Sequence, residues 1–308
     1  MKRPLIALAA ALMLAAVAAP TASASASADC LGLSSARVPK WAPNAHEPAA
    51  IGALQAERLA QQLEPSVAAA EREAARGQGK PGLVTVRTWV HVLSKNRKPA
   101  GGNVSDAQIR AQIDILNRSY AGATGGAPTV FRFELAGITR TVDKAWATMG
   151  PETAEEAAAK EALHRGGPST LNLYVAAKLG DDLLGWSYLP DGEVEHTSLD
   201  GVVVLAGSLP GGDVVPYNEG DTATHEVGHW LALEHTFENG CDFPGDSVPD
   251  TPYEAGPAFG CPIGSDTCRQ PGNDPVENFM DYSDDPCMHE FSFGQSVRMW
   301  GAWRRFRS

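Results

Sequence analysis

The chain of 308 residues has no excess of positive charge, no internal repeat, no C-x-x-C pair and, beyond its first residues, no apolar run approaching the length of a membrane span. Its 25 Lys and Arg stand against 37 Asp and Glu, a formal net charge of -12. That sign excludes a sequence-independent grip on nucleic-acid phosphates and argues against adsorption to an anionic membrane. Without a C-x-x-C pair the cysteines do not suggest a structural zinc site of their own. The composition, 43% apolar and 20% charged, can bury a large core, which excludes a disordered chain or a miniature fold held by disulfides alone. The length fits one domain with an appendage, or two domains.

Residues 1–28 read as a secretory signal peptide: Lys2 and Arg3, an apolar run from Leu5 to Ala19, then a Ser/Ala stretch with several A-x-A cleavage choices. Asp29 before Cys30 stands where a lipobox requires a small residue, which disfavours lipidation. The expected destination is extracellular, where paired cysteines oxidise.

Residues 29–82 are rich in Ala, Glu, Gln and Arg, with helical periodicity at 51–75 and a Gly/Lys/Pro break at 77–82. They read as a propeptide on a protease-accessible linker, or as an ordinary N-terminal helical extension. Alternation over 83–93 predicts a strand, and further strands are expected at 130–135, 171–176 and 202–205. Ser105 with Gln108 forms a capping box, and Ile109, Ile113, Leu116 and Tyr120 make the apolar stripe of the helix that follows. A second helix is expected near 153–164. From 239 to 285 Gly, Pro, Asp and Cys dominate, and only 294–306 reads as helix again.

The chemistry is concentrated in His225-Glu226-Val227-Gly228-His229 and in His235. Histidines at i and i+4 share one helical face one turn apart, the spacing that lets two imidazoles hold one zinc ion. His235, six residues beyond His229, points about 240° round the helix, so it reaches the same metal only if the chain turns sharply near Ala232. Three imidazoles leave a fourth position for water, as catalytic zinc requires. Glu226, about 100° round from His225, is placed to serve as general base. With 8 His and 37 acidic residues in 308, chance yields the H-E-x-x-H pattern roughly 0.02–0.03 times per chain. His46, His91, His164, His196 and His289 have no such spacing and read as ordinary hydrogen-bonded residues.

The extended pattern, with Ala232 where a glycine is usual, resembles the metzincin zinc endopeptidases. In them that glycine makes the sharp turn, at a backbone angle that costs an alanine ~1 kcal/mol. The stretches 229–237, 245–252 and 278–282, with Cys287-Met288, 291–295 and Arg298-Met299, resemble the pappalysin family in its microbial, cytophagalysin-type branch, over about 83–299. The resemblance implies an α/β (α+β) metzincin-like catalytic domain over 83–308. An upper subdomain (83–235) would carry a twisted mixed sheet and the zinc helix; a lower one (236–308) would be irregular, disulfide-stapled and end in a C-terminal helix. It further implies that Met280 is the Met-turn floor beneath the zinc and that Tyr282 stabilises the oxyanion. An extended peptide substrate would pair with the edge strand of the upper sheet.

Cys241, Cys261, Cys268 and Cys287 allow three pairings, and the resemblance implies Cys241–Cys268 with Cys261–Cys287, each loop worth roughly 3–4 kcal/mol. Asp242, Asp246, Asp250 and Asp266 make either a calcium site, with Asp246 and Asp250 as ligands, or a solvated acidic loop. Cys30, the fifth cysteine, is a candidate zymogen switch whose thiolate would take the fourth zinc position; an intermolecular disulfide is its rival. The aromatic and basic end, 300–307, reads as a helix packing on the lower subdomain. The expected protein is a secreted zinc endopeptidase that hydrolyses peptide bonds through a zinc-activated water. The alternatives are a catalytically silent, zinc-stabilised binding protein and a zinc hydrolase of a non-peptide amide.

Overall fold

Period-two alternation in the strands decides the two faces of the central sheet. In this computed structural model, which describes residues 34–43, 53–76 and 82–308, six strands are β1 (Ser34–Arg37), β2 (Val84–Ser94), β3 (Phe131–Val142), β4 (Thr170–Ala176), β5 (Gly185–Tyr188) and β6 (Val202–Leu205). The signal segment 1–28, Cys30 and most of the linker lie outside the described residues. The strand order is β1-β5-β6-β4-β2-β3. β3, β2, β4 and β6 run parallel, whereas β5 is antiparallel to β6 and to β1.

Leu171, Leu173 and Val175 of β4, with Val202 and Val204 of β6, point into one cluster; Tyr174, Ala176 and Val203 point into another. The first cluster is closed by α2 (Asp106–Tyr120) and α4 (Asp221–Trp230), the second by α3 (Ala154–Leu163). The expected capping box is present at Ser105 and Gln108, and Ile109, Ile113, Leu116 and Tyr120 are buried.

One point the sequence reading left open and one departure from it matter for the site. First, the residues before the linker are built into the fold. β1 extends the sheet, and α1 (Ala53–Arg76) packs Leu59 and Leu63 against Leu189, Ala232, Ala302 and Phe306. Second, α5 (Phe293–Ala302) and the wider π-helical turn after it, Trp303–Arg307, do not rest their aromatics on the lower part of the chain. Trp303 joins the main core beside Phe131 and Trp230, while Trp300 and Arg304 meet Glu73 of α1. Arg307 then stacks over Trp230 at 3.6 Å and pairs with buried Asp200, which also accepts from the Trp230 indole at 3.0 Å. The chain end thereby locks the back of α4.

Candidate metal centre and cleft

α4 carries His225 and His229 on one face, and its end determines whether His235 can join them. Leu231 is followed by Ala232 at φ 69°, the left-handed region. The Leu233 N–H donates to Gly228 O at 3.0 Å and the Ala232 N–H to His229 O at 2.8 Å, the two bonds of a Schellman turn. Arg298 of α5 reinforces it, donating to Ala232 O at 2.8 Å and pairing with buried Glu234. The turn is therefore made with an alanine, and it brings His235 back to the helix.

The three Nε2 atoms converge, with His229 3.0 Å from His225 and 3.2 Å from His235. Bonds of about 2.0–2.1 Å to a tetrahedral zinc would set such nitrogens about 3.3–3.4 Å apart. Burial holds His225 and His235 well below the ordinary histidine range and His229 down to about 4, so the rings are neutral. With Nδ1 carrying the proton, His225 donates to Phe279 O at 2.7 Å and His229 to Leu233 O at 2.8 Å. Their Nε2 lone pairs then face one another, an arrangement that calls for a cation between them. Among the described residues this is the only group of three His, Cys, Asp or Glu close enough to hold a metal.

Beneath the histidines, a Cβ at Gly228 would lie 2.4 Å from Met280 Sδ, so the glycine is what admits the methionine to the floor. Above them, a Cβ at Gly185 would meet Val203 O at 2.7 Å and Glu226 Cγ at 2.9 Å. The glycine of β5 thus makes room for the buried glutamate.

β1 lies across this site. Tyr282 Oη donates to Ala36 O at 2.5 Å and stands 3.2 Å from His235 Nε2. The Arg37 N–H donates to Glu226 Oε1 at 3.0 Å. The Arg37 guanidinium is fully buried, bonded to Asp285 Oδ1 at 2.9 Å, Thr222 Oγ1 at 3.1 Å and Ser283 O at 2.7 Å, with the Tyr217 ring 5.2 Å away. Asp285 Oδ2 accepts from the Glu219 N–H at 2.8 Å. Behind it, burial and the Asp285 charge push the Asp221 carboxyl well above the usual range, and the Arg37 charge pulls it back.

Comparison with known proteins matches this constellation to proteases. The family model described as pregnancy-associated plasma protein-A matches residues 169–303. An extracellular metalloprotease of Pyricularia oryzae is 42% identical over 247 residues, covering 79% of this chain and 84% of that protein. This chain belongs to the pappalysin family of metalloproteases. Extracellular metalloprotease 1 of Coccidioides posadasii is 42% identical over 228 residues, 73% of this chain and 79% of its own. Among solved structures, mature mirolysin of Tannerella forsythia in complex with a cleaved peptide has a TM-score of 0.62 at 32% identity, covering 74% of this chain and 96% of that one. A promirolysin variant from the same organism reaches 0.63 at 29% identity, over 83% and 96%.

The lower half of this pappalysin carries the disulfides Cys241–Cys268 and Cys261–Cys287, the interleaved pairing the resemblance implies. Among the described residues, Asp246 and Asp250 belong to no group of three His, Cys, Asp or Glu close enough to hold a metal. Asp250 is engaged by the Ser292 hydroxyl at 2.7 Å and the Gly294 N–H at 2.8 Å, at the start of α5, while buried Asp246 accepts from the Val248 N–H at 3.1 Å. Cys30 lies outside the described residues. Sequence reasoning missed Arg37, Tyr217, Thr222, Asp285 and Arg298. Asp285 lies three residues past Tyr282, Thr222 three before His225, and Arg298 within a stretch that carries the resemblance, whereas Arg37 and Tyr217 stand beside no recognised motif. His91 is the hydrogen-bonded core residue expected, between Thr139 at 2.8 Å and Asn172 at 3.0 Å.

Proposed function

We propose that this pappalysin is an exported zinc endopeptidase that cuts on the amino side of basic residues, made with a signal peptide (1–28) and held latent by its N-terminal segment. The observation that carries the reading is the convergence of three neutral imidazoles, one buried carboxylate and one buried phenol on a single extended backbone segment. His225, His229 and His235 would hold the ion, and zinc is what their nitrogen set fits; calcium wants six to eight oxygens, and Asp246 and Asp250 supply no such set. Zinc bound there would contribute Lewis-acid activation of water and of a carbonyl.

The chain's own residues do the rest. β5 offers its edge to an extended peptide, aligning it by backbone bonds. Glu226 takes a proton from water and delivers it to the nitrogen of the departing amine, as its bond to the Arg37 N–H supports. Tyr282 donates to the carbonyl oxygen as negative charge develops, as its bond to Ala36 O supports. The Schellman turn at Ala232 supports an undistorted site rather than a silent one. The buried Asp285 and Thr222 favour a guanidinium or ammonium in the first position after the cut, because an apolar side chain there would leave Asp285 buried without its counter-charge.

The test is cleavage of a peptide library by the purified protein, with chelator and with zinc restored. Cuts before Arg and Lys that vanish with chelator are expected, and Asp285→Asn should cost about 2–3 kcal/mol in kcat/KM for Arg peptides. Random cut positions would defeat the specificity, and cleavage indifferent to chelator would defeat the metal. Cys30→Ala tests the remaining expectation, that its thiolate reinforces latency.

A further inference from the structure

Beyond Arg37 the chain runs over Tyr217 and Asp284, and we propose that these two side chains form a second recognition point for substrates, taking a lysine or arginine in the fourth position after the cut. The proposal rests on the endopeptidase reading above and extends it from one basic residue to two, spaced three apart.

The N-terminal segment marks the course of a bound peptide. β1 pairs antiparallel with β5, the Tyr282 hydroxyl meets Ala36 O and Glu226 meets the Arg37 N–H. Residues from Arg37 onward therefore stand where the residues after a cut would stand, and a substrate takes those places only once the segment, Arg37 included, has left them. Three residues past Arg37, the Lys40 N–H donates to the Tyr217 hydroxyl at 3.0 Å and Lys40 Nζ pairs with Asp284 Oδ2 at 3.2 Å. The chain turns here, with the Ala42 N–H on Pro39 O at 2.9 Å, and Trp41 meets the Tyr217 ring edge-on at 5.5 Å.

Both partners are held by the body of the protein. The Tyr217 N–H donates to Val214 O at 2.7 Å, and its loop is closed by the Gly211 N–H on Asn218 O at 3.0 Å and by Asn218 Nδ2 on Gly212 O at 2.8 Å. The Asp284 N–H donates to Gly260 O at 2.9 Å, beside the disulfide Cys261–Cys287. The Asp285 N–H reaches Pro216 O at 3.3 Å and ties the two loops together. None of these bonds involves the N-terminal segment, so the pair stays in place when a substrate replaces it.

The chemistry selects a cation. Asp285 faces the first position and Asp284 the fourth, so two consecutive carboxylates match two cations three residues apart. An acidic residue in the fourth position would set like charge against Asp284. The Lys40 side chain is 45% exposed, so water screens the pair and it confers a preference rather than an absolute requirement. The bond to Tyr217 is made by the backbone and serves any residue but proline. Burial pushes the Tyr217 phenol up to about 12, so it remains a hydroxyl in neutral solution.

The experiment uses the full chain carrying Arg37→Glu, whose like charge against Asp285 expels the segment from the cleft, with zinc supplied. One peptide ends as an amide two residues after the cut, in Arg-Val; the other runs on through Pro-Lys-Trp-Ala, with its Lys also exchanged for Ala or Glu. The long peptide should exceed the short one about three- to tenfold in kcat/KM, chiefly through KM, and Lys should exceed Glu about fivefold. Adding Tyr217→Phe, which keeps the ring, should bring the long-to-short ratio near one. Adding Asp284→Lys should invert the order of Lys and Glu. In the native chain, Tyr217→Phe should speed hydrogen exchange of the Lys40 amide about threefold or more, a readout independent of activity. Cleavage before Arg that ignores the fourth position overturns the proposal and leaves the endopeptidase reading standing, and a chain that cleaves no peptide overturns both. Unchanged exchange at Lys40 overturns the role of Tyr217 whether or not the Arg37→Glu chain folds.

Discussion

Two stretches of the chain, 83–235 as an upper half and 236–308 as a lower one, are held by different forces. In the upper half, 83–235, parallel strands and amphipathic helices bury Val, Leu and Ile in two clusters on either side of the sheet. It also holds a buried ion pair, Glu156 with Lys160 at 2.8 Å, where Glu156 also accepts from Trp186 and Tyr188. Between 236 and 292 the described residues form no regular helix or strand beyond the bridge of Asn278 with Glu290. Two disulfides cross-link this stretch. Several of its carboxyls are raised by burial: Asp246 to about 8, Glu254 to about 9 and Asp281 to about 6. The upper half is stabilised by apolar area, the lower by covalent loops and by polar groups that find hydroxyl and N–H partners. Yet under the proposed mechanism each would supply one reacting group, since Glu226 belongs to α4 and Tyr282 to the irregular half.

The largest effect that separates the halves is catalytic. Glu226→Gln removes the proton carrier and should lower kcat by about 10³–10⁴. Tyr282→Phe removes one donor to the oxyanion and should cost about 10–10² in kcat with little change in KM. If the phenylalanine variant is as inactive as the glutamine one, Tyr282 does more than support the carbonyl. Steady-state kinetics on one Arg-containing peptide measures both.

The next contrast is in stability. The disulfide loops span 27 and 26 residues, each worth about 3–3.5 kcal/mol in the chain-entropy model. Replacing Cys261 and Cys287 by Ser should destabilise by about that amount. Leu173→Ala, in the sheet core, should cost about 2–5 kcal/mol. The sums are similar but the distribution is not: hydrogen exchange should rise only at 236–292 in the first variant and across the sheet in the second. Uniform loosening in both would mean that the halves unfold as one unit.

The same contrast explains what was legible in the sequence. The histidines, Glu226 and the capping box at Ser105 are local patterns with a fixed period, so the helices and the candidate ligands could be read directly. β1 and β5 are four residues each, Ser-Ser-Ala-Arg and Gly-Trp-Ser-Tyr, too short for alternation to register and defined only by pairing with each other. The pocket for Arg37 draws on positions 37, 217, 222, 283 and 285, and no spacing announces it. Arg298 was read as part of a helix and of the family resemblance, but no spacing showed that it secures the turn on which His235 depends.

A smaller effect distinguishes the halves by pH. Burial, the main cause, raises the Asp246 carboxyl to about 8. The native state therefore holds a proton that the unfolded chain gives up near the usual value of about 4. The stability this lends is complete below about pH 4 and is lost as pH rises towards about 8. Unfolding free energies from urea titrations at pH 5 to 8 should fall by up to about 1.4 kcal/mol per pH unit for this one group. Asp246→Asn, which cannot ionise, should flatten that slope. An unchanged slope would remove Asp246 from the account.

The smallest effect lies where the halves meet. Ala232→Gly relieves a left-handed alanine, a gain of about 1–2 kcal/mol. It also deletes a fully buried methyl packed among Leu59, Leu63 and Phe306, a loss of about 0.8 kcal/mol, and adds unfolded-state freedom worth about 0.4–1 kcal/mol. The terms nearly cancel, so the glycine variant should lie within about 1 kcal/mol of the native chain, with unchanged zinc affinity. The cancellation depends on α1, because the methyl is worth burying only while α1 covers it. In a Leu59→Ala background, which opens that contact, the glycine should become the more stable residue. If glycine is favoured by the same margin in both backgrounds, α1 does not account for the alanine.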